Sequence, residues 1–207
     1  MQAFQQIYSG ISYLPAIDEP LSADVVVIKG KEFCWLFDVG MGENALAAIG
    51  YLPGMKKAVI SHFHPDHCGN LSRLGLDEIF VGKNTYKYTG IGTIVEQNMF
   101  LEDGRQLRIF PMASSHAKGS LALDVDEKYL FVGDAFCPQF KNGQRLYNTT
   151  ILHSQLELLE NIKADNIGIS HQADFIMPKS LVLEKLKKLY GKRGKNQAYI
   201  VETAFDW

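Results

Sequence analysis

The sequence predicts a mixed α/β fold in a single domain spanning 1–207, and three observations carry that expectation. A chain of 207 residues that is 46% hydrophobic has enough apolar surface for one sizeable core. Short β-type apolar runs alternate with stretches of helical periodicity. Acids and histidines stand after apolar runs: Asp38 after CWLF, His62 after AVIS, His116 after a strand and PMASS, Asp134 after LFVG, His171 after IGIS. Groups gathered at strand ends, on loops over a rigid sheet, are how a fold brings distant residues to one point.

In chain order, VVVIKG (25–30) and FCWLFDVG (33–40) read as a hairpin with a Gly-Lys turn that ends at Asp38. A helix-compatible stretch follows over 42–49. KAVISH (57–62) is a short buried strand opening into a loop, and 70–76, with Leu71 and Leu74 on one face, suggests a helix. DEIFVG (77–82) is a further strand. Residues 83–104 show weak periodicity and carry no assignment. Strands are expected over 105–112, 120–126 and 128–135, the last two joined by a tight turn at Asp126-Glu127. Residues 136–150 read as a long loop containing Pro and Gly. Apolar positions 152, 156, 159 and 162 give a helix capped by Thr149 or Thr150. NIGIS (166–170) is a strand running into His171, 181–190 a Lys-rich amphipathic helix, and 198–205 a last strand.

Composition narrows the partners. Lys plus Arg is 21 and Asp plus Glu is 23, a net charge of −2, so the basic excess typical of a nucleic-acid-binding domain is missing. No cationic leader with an apolar stretch opens the chain and no window reaches membrane-span length, so a soluble cytoplasmic protein without a membrane partner is expected. Cys34, Cys68 and Cys137 are odd in number and scattered, which argues against a disulfide framework or a structural zinc knuckle. Cys34 reads as a core residue, Cys68 as packing behind the histidine loop.

Three of the chain's six histidines fall in SHFHPDHCGN (61–70). Side chains two apart in an extended segment point the same way, so His62 and His64 can grip one ion. Pro65 turns the chain and throws Asp66 and His67 to the other side, where they can hold a second ion. His116 can complete the first set and His171 the second, with Asp134 bridging both. Imidazole with carboxylate suits zinc, and also iron or manganese. His153, at the start of a helix, reads as a surface or core residue.

HFHPDH (62–67) matches the His-x-His-x-Asp-His signature of the metallo-β-lactamase superfamily, and the order of motifs extends the resemblance over nearly the whole chain. LFDVG (36–40) is similar to the family's strand-end Asp motif, HAKGS (116–120) to its His-x-x-Gly-Ser/Thr element, VGDA (132–135) to its Gly-Asp element, and SHQ (170–172) holds the place of its final histidine. The resemblance implies a four-layer αββα sandwich, two mixed sheets face to face with helices outside. It also implies a dinuclear centre: His62, His64 and His116 on one metal, Asp66, His67 and His171 on the other, Asp134 between, and Asp38 holding the motif loop in place. Two ions sharing a water lower its pKa toward roughly 7, which gives a hydroxide for attack on a carbonyl or phosphoryl centre. Asp66 or Asp134 would then pass a proton to the leaving group. Gln172 and Ala173 follow His171 where many relatives place glycine, so the backbone there is expected to differ.

For the substrate, 136–150 offers Phe136, Phe140 and Tyr147 as apolar walls and Lys141 and Arg145 as anion partners, while Tyr86, Tyr88 and Phe100 can supply the opposite wall. The expectation is a hydrolase of a small ester, thioester or lactone bearing an anionic group, with a homodimer allowed. The alternatives are an iron-dependent oxidoreductase resembling the persulfide dioxygenases, a phosphodiesterase, and a metal-bearing binding or sensor module without turnover. The resemblance to flavodiiron proteins is weaker, since they usually carry Glu where this chain has His64 and need a flavin domain.

Overall fold

A computed structural model describes residues 2–202 of the chain. A seven-stranded sheet runs Gln5–Tyr8, Ile11–Leu14, Val25–Lys29, Phe33–Phe37, Met55–Val59, Glu78–Val81, Thr93–Ile94, antiparallel up to Phe33–Phe37 and parallel beyond it. A six-stranded sheet runs Met99–Glu102, Gln106–Met112, Ser120–Val125, Tyr129–Phe131, Asn166–Gly168, Ile176–Pro178. Among the described residues five α-helices accompany them: α1 (Gly42–Gly50), α2 (Pro65–Cys68), α3 (Lys83–Thr89), α4 (Thr149–Asn161) and α5 (Lys179–Gly191).

Strand alternation sorts the apolar residues into separate cores. In the first sheet Val26, Ile28, Trp35, Phe37 and Val59 face inward to meet Ile109, Leu121, Leu123 and Phe131 of the second sheet. Their neighbours Val25, Val27, Leu36 and Ala58 face the other way and pack with Ala45, Ala48 and Ile49 of α1. In the second sheet Ala122, Leu130 and Ile167 turn outward onto Leu152, Leu156 and Leu159 of α4 and Val182, Leu186 and Leu189 of α5. A period of two on a sheet covered on both sides leaves no solvent-facing register, and each such side chain contributes about 1.5–3 kcal/mol on burial. The outcome is the mixed αββα sandwich.

Several local expectations are corrected. Residues 70–76 form only a 3-10 turn, Leu71–Arg73, because flanking Gly69 and Gly75 lack helix propensity and Leu74 is already extended. The stretch 136–150 is no plain loop. Gln139–Lys141 and Gln144–Asn148 pair as a hairpin whose turn residues Asn142 and Gly143 both take left-handed φ, 51° and 74°, and Tyr199–Glu202 joins as a third strand. Asn-Gly between two short strands is the strongest short hairpin signal, and it stood in the sequence. Helix α4 is capped by Asn148, whose side chain accepts from the backbone N–H of Thr150 and Ile151, rather than by a threonine. Residues 83–104 resolve into α3 and the strands Thr93–Ile94 and Met99–Glu102. Residues 203–205 of the expected last strand lie outside the described residues. No described helix is long and apolar enough to cross a membrane.

Candidate metal centre

The motif begins where the strand Met55–Val59 ends. Asp38, at the end of the neighbouring strand, adopts φ 62° and is fully buried. One carboxylate oxygen accepts from Ser61 N at 2.7 Å; the other accepts from Ser61 Oγ at 2.8 Å and lies 2.7 Å from His67 Nδ1. Pro65 opens α2 at its first position, where a missing N–H costs nothing, and His64 precedes it in extended conformation. His62 and His64 therefore point together while Asp66 and His67 ride on the short helix.

Two groups of donors result. Ligand-competent atoms of His62, His64 and His116 lie within 4.8 Å of one another, as do those of Asp66, His67, Asp134 and His171. In the first group His64 Nδ1 is 3.0 Å from His62 Nε2 and 2.9 Å from His116 Nε2. In the second His171 Nε2 is 3.0 Å from Asp66 Oδ2. Asp134 stands between them, its Oδ2 3.4 Å from His67 Nε2 and 3.3 Å from His116 Nε2.

Hydrogen bonds on the far side of three imidazoles fix which nitrogen faces inward. His116 Nδ1 is 3.1 Å from the Pro138 carbonyl, an acceptor only, so Nδ1 carries the proton. Asp38 imposes the same choice on His67, and Ser61 Oγ, which donates to Asp38, accepts from His62 Nδ1 at 3.0 Å. In the neutral ring each leaves Nε2 as the acceptor turned to the centre. His67 Nε2 and Asp134 Oδ1 are buried without a hydrogen-bond partner. Orphaned buried atoms of this kind, with no thiolate in either group, fit divalent cations.

Electrostatics divide the imidazoles: burial would lower His67, but the carboxylates of Asp134 and Asp38 raise it well above its ordinary value. Burial, then neighbouring His67, pushes the His62 imidazole far below its ordinary value, and burial with His116 lowers His64. Burial opposes ionisation of Asp134, but contact with His67 outweighs it and holds the carboxyl well below the usual range. Burial would lower His171, yet its hydrogen bond to Asp66 raises it.

His171 takes φ 61°, the left-handed conformation a glycine would favour. Asp24 secures it: one carboxylate oxygen accepts from His171 N at 2.9 Å and the other from Ala16 N at 3.0 Å. The sequence reading missed Asp24, Ser61 and Gln155. The Gln155 amide on α4 donates to the carbonyls of Ala113, at 2.8 Å, and Ala135, at 2.7 Å. Gly119 also has a packing role: a Cβ on Gly82 would sit 1.8 Å from the Gly119 carbonyl, so only two glycines let the His116 loop reach the first sheet.

Two cavities open beside the centre and share His116. One, of 420 Å³, is lined by Asp134, His171, Phe140, Arg145, Tyr147 and Gln172, among others. The other, of 340 Å³, includes Phe63, Asn84, Tyr88 and Lys118. Phe136 is corrected from substrate wall to core: only 1% exposed, it packs with Leu130 and Leu152. Lys141, next to the hairpin turn, is exposed and outside both linings, as is Tyr86, and Phe100 borders a different groove with Arg108. His153 is exposed. Cys34 and Cys68 are half-buried against the α1 core.

Residues 18–82 match the family model described as the metallo-beta-lactamase superfamily. Among solved structures, a metallo-beta-lactamase from Pontibacter korlensis superposes with a TM-score of 0.72 at 17% identity, over 93% of this chain and 100% of that one. An archaeal superfamily protein from Sulfolobus tokodaii gives 0.65 at 22%, over 90% and 88%. A flavo di-iron protein from Thermotoga maritima gives 0.70 at 14%, over 94% of this chain and 62% of that one. No curated protein matches the chain. These solved structures share the fold, and the family model's match covers the motif-bearing residues 18–82.

Proposed function

We propose that the protein is a metal-dependent hydrolase that takes two divalent ions and cleaves a small ester, thioester or lactone bearing an anionic group. The observation that carries this reading is the pair of adjoining donor groups with Asp134 between them. His62, His64 and His116 would hold one ion and Asp66, His67 and His171 the other, with zinc the first expectation and iron or manganese the alternatives. When bound, the ions supply an activated water and polarise the bond under attack.

The chain's own residues do the rest. Asp38, Ser61 and the Pro138 carbonyl hold protons on the outward nitrogens of His67, His62 and His116, so that in the neutral rings the inward nitrogens are the ones offered to an ion. Asp66 and Asp134 are the carboxylates we assign to take a proton from the water and pass it to the departing group. The 420 Å³ cavity suits a small molecule rather than a polymer. The cytoplasm is the proposed location, in keeping with three free cysteines among the described residues.

Metal analysis of protein purified without chelator, followed by a panel of esters, thioesters, lactones and phosphodiesters, tests the reading. Two ions per chain and turnover of an ester-type substrate are expected. Inertness across the panel with both ions bound would replace the hydrolase with a binding module, and iron alone with oxygen uptake on a persulfide would replace it with an oxidoreductase.

A further inference from the structure

The two cavities that meet at His116 differ in chemistry. In one, Arg145 is exposed, its guanidinium carbon 5.5 Å from the centre of the Phe140 ring, and it has no carboxylate partner among the described residues. Glu202 stands across the strand pair from it but is engaged by Lys192. A guanidinium braced on a ring yet left without a counter-ion is a ready receptor for a carboxylate, whose two oxygens match its fork.

In the other cavity Tyr88 of α3 is 66% exposed and stacks on Phe63, ring centres 4.3 Å apart and planes at 19°. Phe63 lies between His62 and His64, so the backbone that orients the donor cluster also orients this ring. An exposed tyrosine adds little to a core. Its free face, beside the centre, is a surface for a planar group.

We propose that the substrate is bipartite: a carboxylate held by Arg145, an aromatic acyl group lying on the Tyr88–Phe63 pair, and the scissile acyl bond above the donor cluster between them. The cleavage rests on the hydrolase reading; the two binding contacts do not. Water adds to the acyl carbon, the carbon–oxygen or carbon–sulfur bond breaks, and the leaving group departs with the bonding electrons and takes up a proton. No reactant besides water is needed.

Three thioesters test the proposal: S-phenylacetyl thioglycolate, with both groups; S-acetyl thioglycolate, with the carboxylate only; and the phenylacetyl thioester of 2-mercaptoethanol, with the ring only. Wild-type kcat/KM is expected to be highest for the first. Arg145→Ala should cut the preference for the charged over the uncharged phenylacetyl thioester about tenfold, and Tyr88→Ala the preference for phenylacetyl over acetyl about tenfold. Calorimetric titration of the metal-loaded protein with the amide analogue phenylacetylglycine is the second readout, with binding weakened about tenfold in each variant. Binding that follows this pattern without any thioester turnover would sink the hydrolase and leave the bipartite site standing. Turnover with unchanged preferences in both variants, or a carboxylate preference lost in Lys118→Ala and kept in Arg145→Ala, would overturn the proposal.

Discussion

At the rim of the first sheet, Asp38, Ser61 and His67 are sealed from solvent and satisfy one another's outward polar atoms, leaving only inward lone pairs unanswered. Across His116, the hairpin from 139 to 148 and helix α3 expose Phe140, Arg145 and Tyr88, none of which the fold needs for its core. The rim fixes which atoms meet; the wall fixes only what is offered to them. Substitutions in the first region should therefore strike stability, metal content and turnover together, and those in the second should alter preference alone.

The sharpest test of that division is at the donors. His64→Ala and Asp134→Ala should each lower turnover of any responsive ester more than about a thousandfold, roughly 4 kcal/mol of barrier, while circular dichroism remains native and metal content falls below two ions. Full activity in either variant would break the comparison. Next, Asp38→Ala removes the acceptor of three buried donors, Ser61 N, Ser61 Oγ and His67 Nδ1, of which only the last keeps another acceptor, Ser61 Oγ at 3.2 Å. It should cost about 3 kcal/mol in urea unfolding and about 10–100-fold in metal affinity.

Asp24→Asn is milder. An amide offers one acceptor where Ala16 N and His171 N now use two, so the turn at His171 should loosen. A loss of about 1–2 kcal/mol and weaker binding of one ion out of two are expected, read by competition with a chromophoric chelator.

The smallest effect lies away from both regions. Asp103 accepts from the backbone N–H of Glu32, Phe33 and Lys31 and from the Trp35 indole; burial would raise its carboxyl, but these bonds hold it below the usual value. Its stabilising contribution is fully present above the unfolded-state value of about 3.9 and disappears as pH falls through the lower folded-state value. The melting-temperature gap between wild type and Asp103→Asn should accordingly be steady at neutral pH and narrow below about pH 4.

The donor atoms were legible because their chemistry is written locally: HFHPDH spans six residues, and Asp38, Asp134 and His171 each follow an apolar run. What supports them was not. Asp24 is 147 positions from His171, and nothing near either residue announces their bond. Among the strands, long apolar runs such as VVVIK and FCWLF declared themselves, whereas Gln5–Tyr8 and Gln139–Lys141 are short and largely exposed and gave little pattern to read. Phe136 illustrates a further difficulty, since an aromatic after a strand-end acid is equally suited to a pocket or a core, and only the packing of α4 decides.

The two donations of Gln155 bear on how the protein tolerates motion. A single amide on α4 grips the carbonyl just after Asp134 and another three residues before His116, so any sway of that helix drags both loops along together. The Asp134 and His116 loops, 3.3 Å apart at their donor atoms, thus hang from one anchor on α4, like two hooks on one beam.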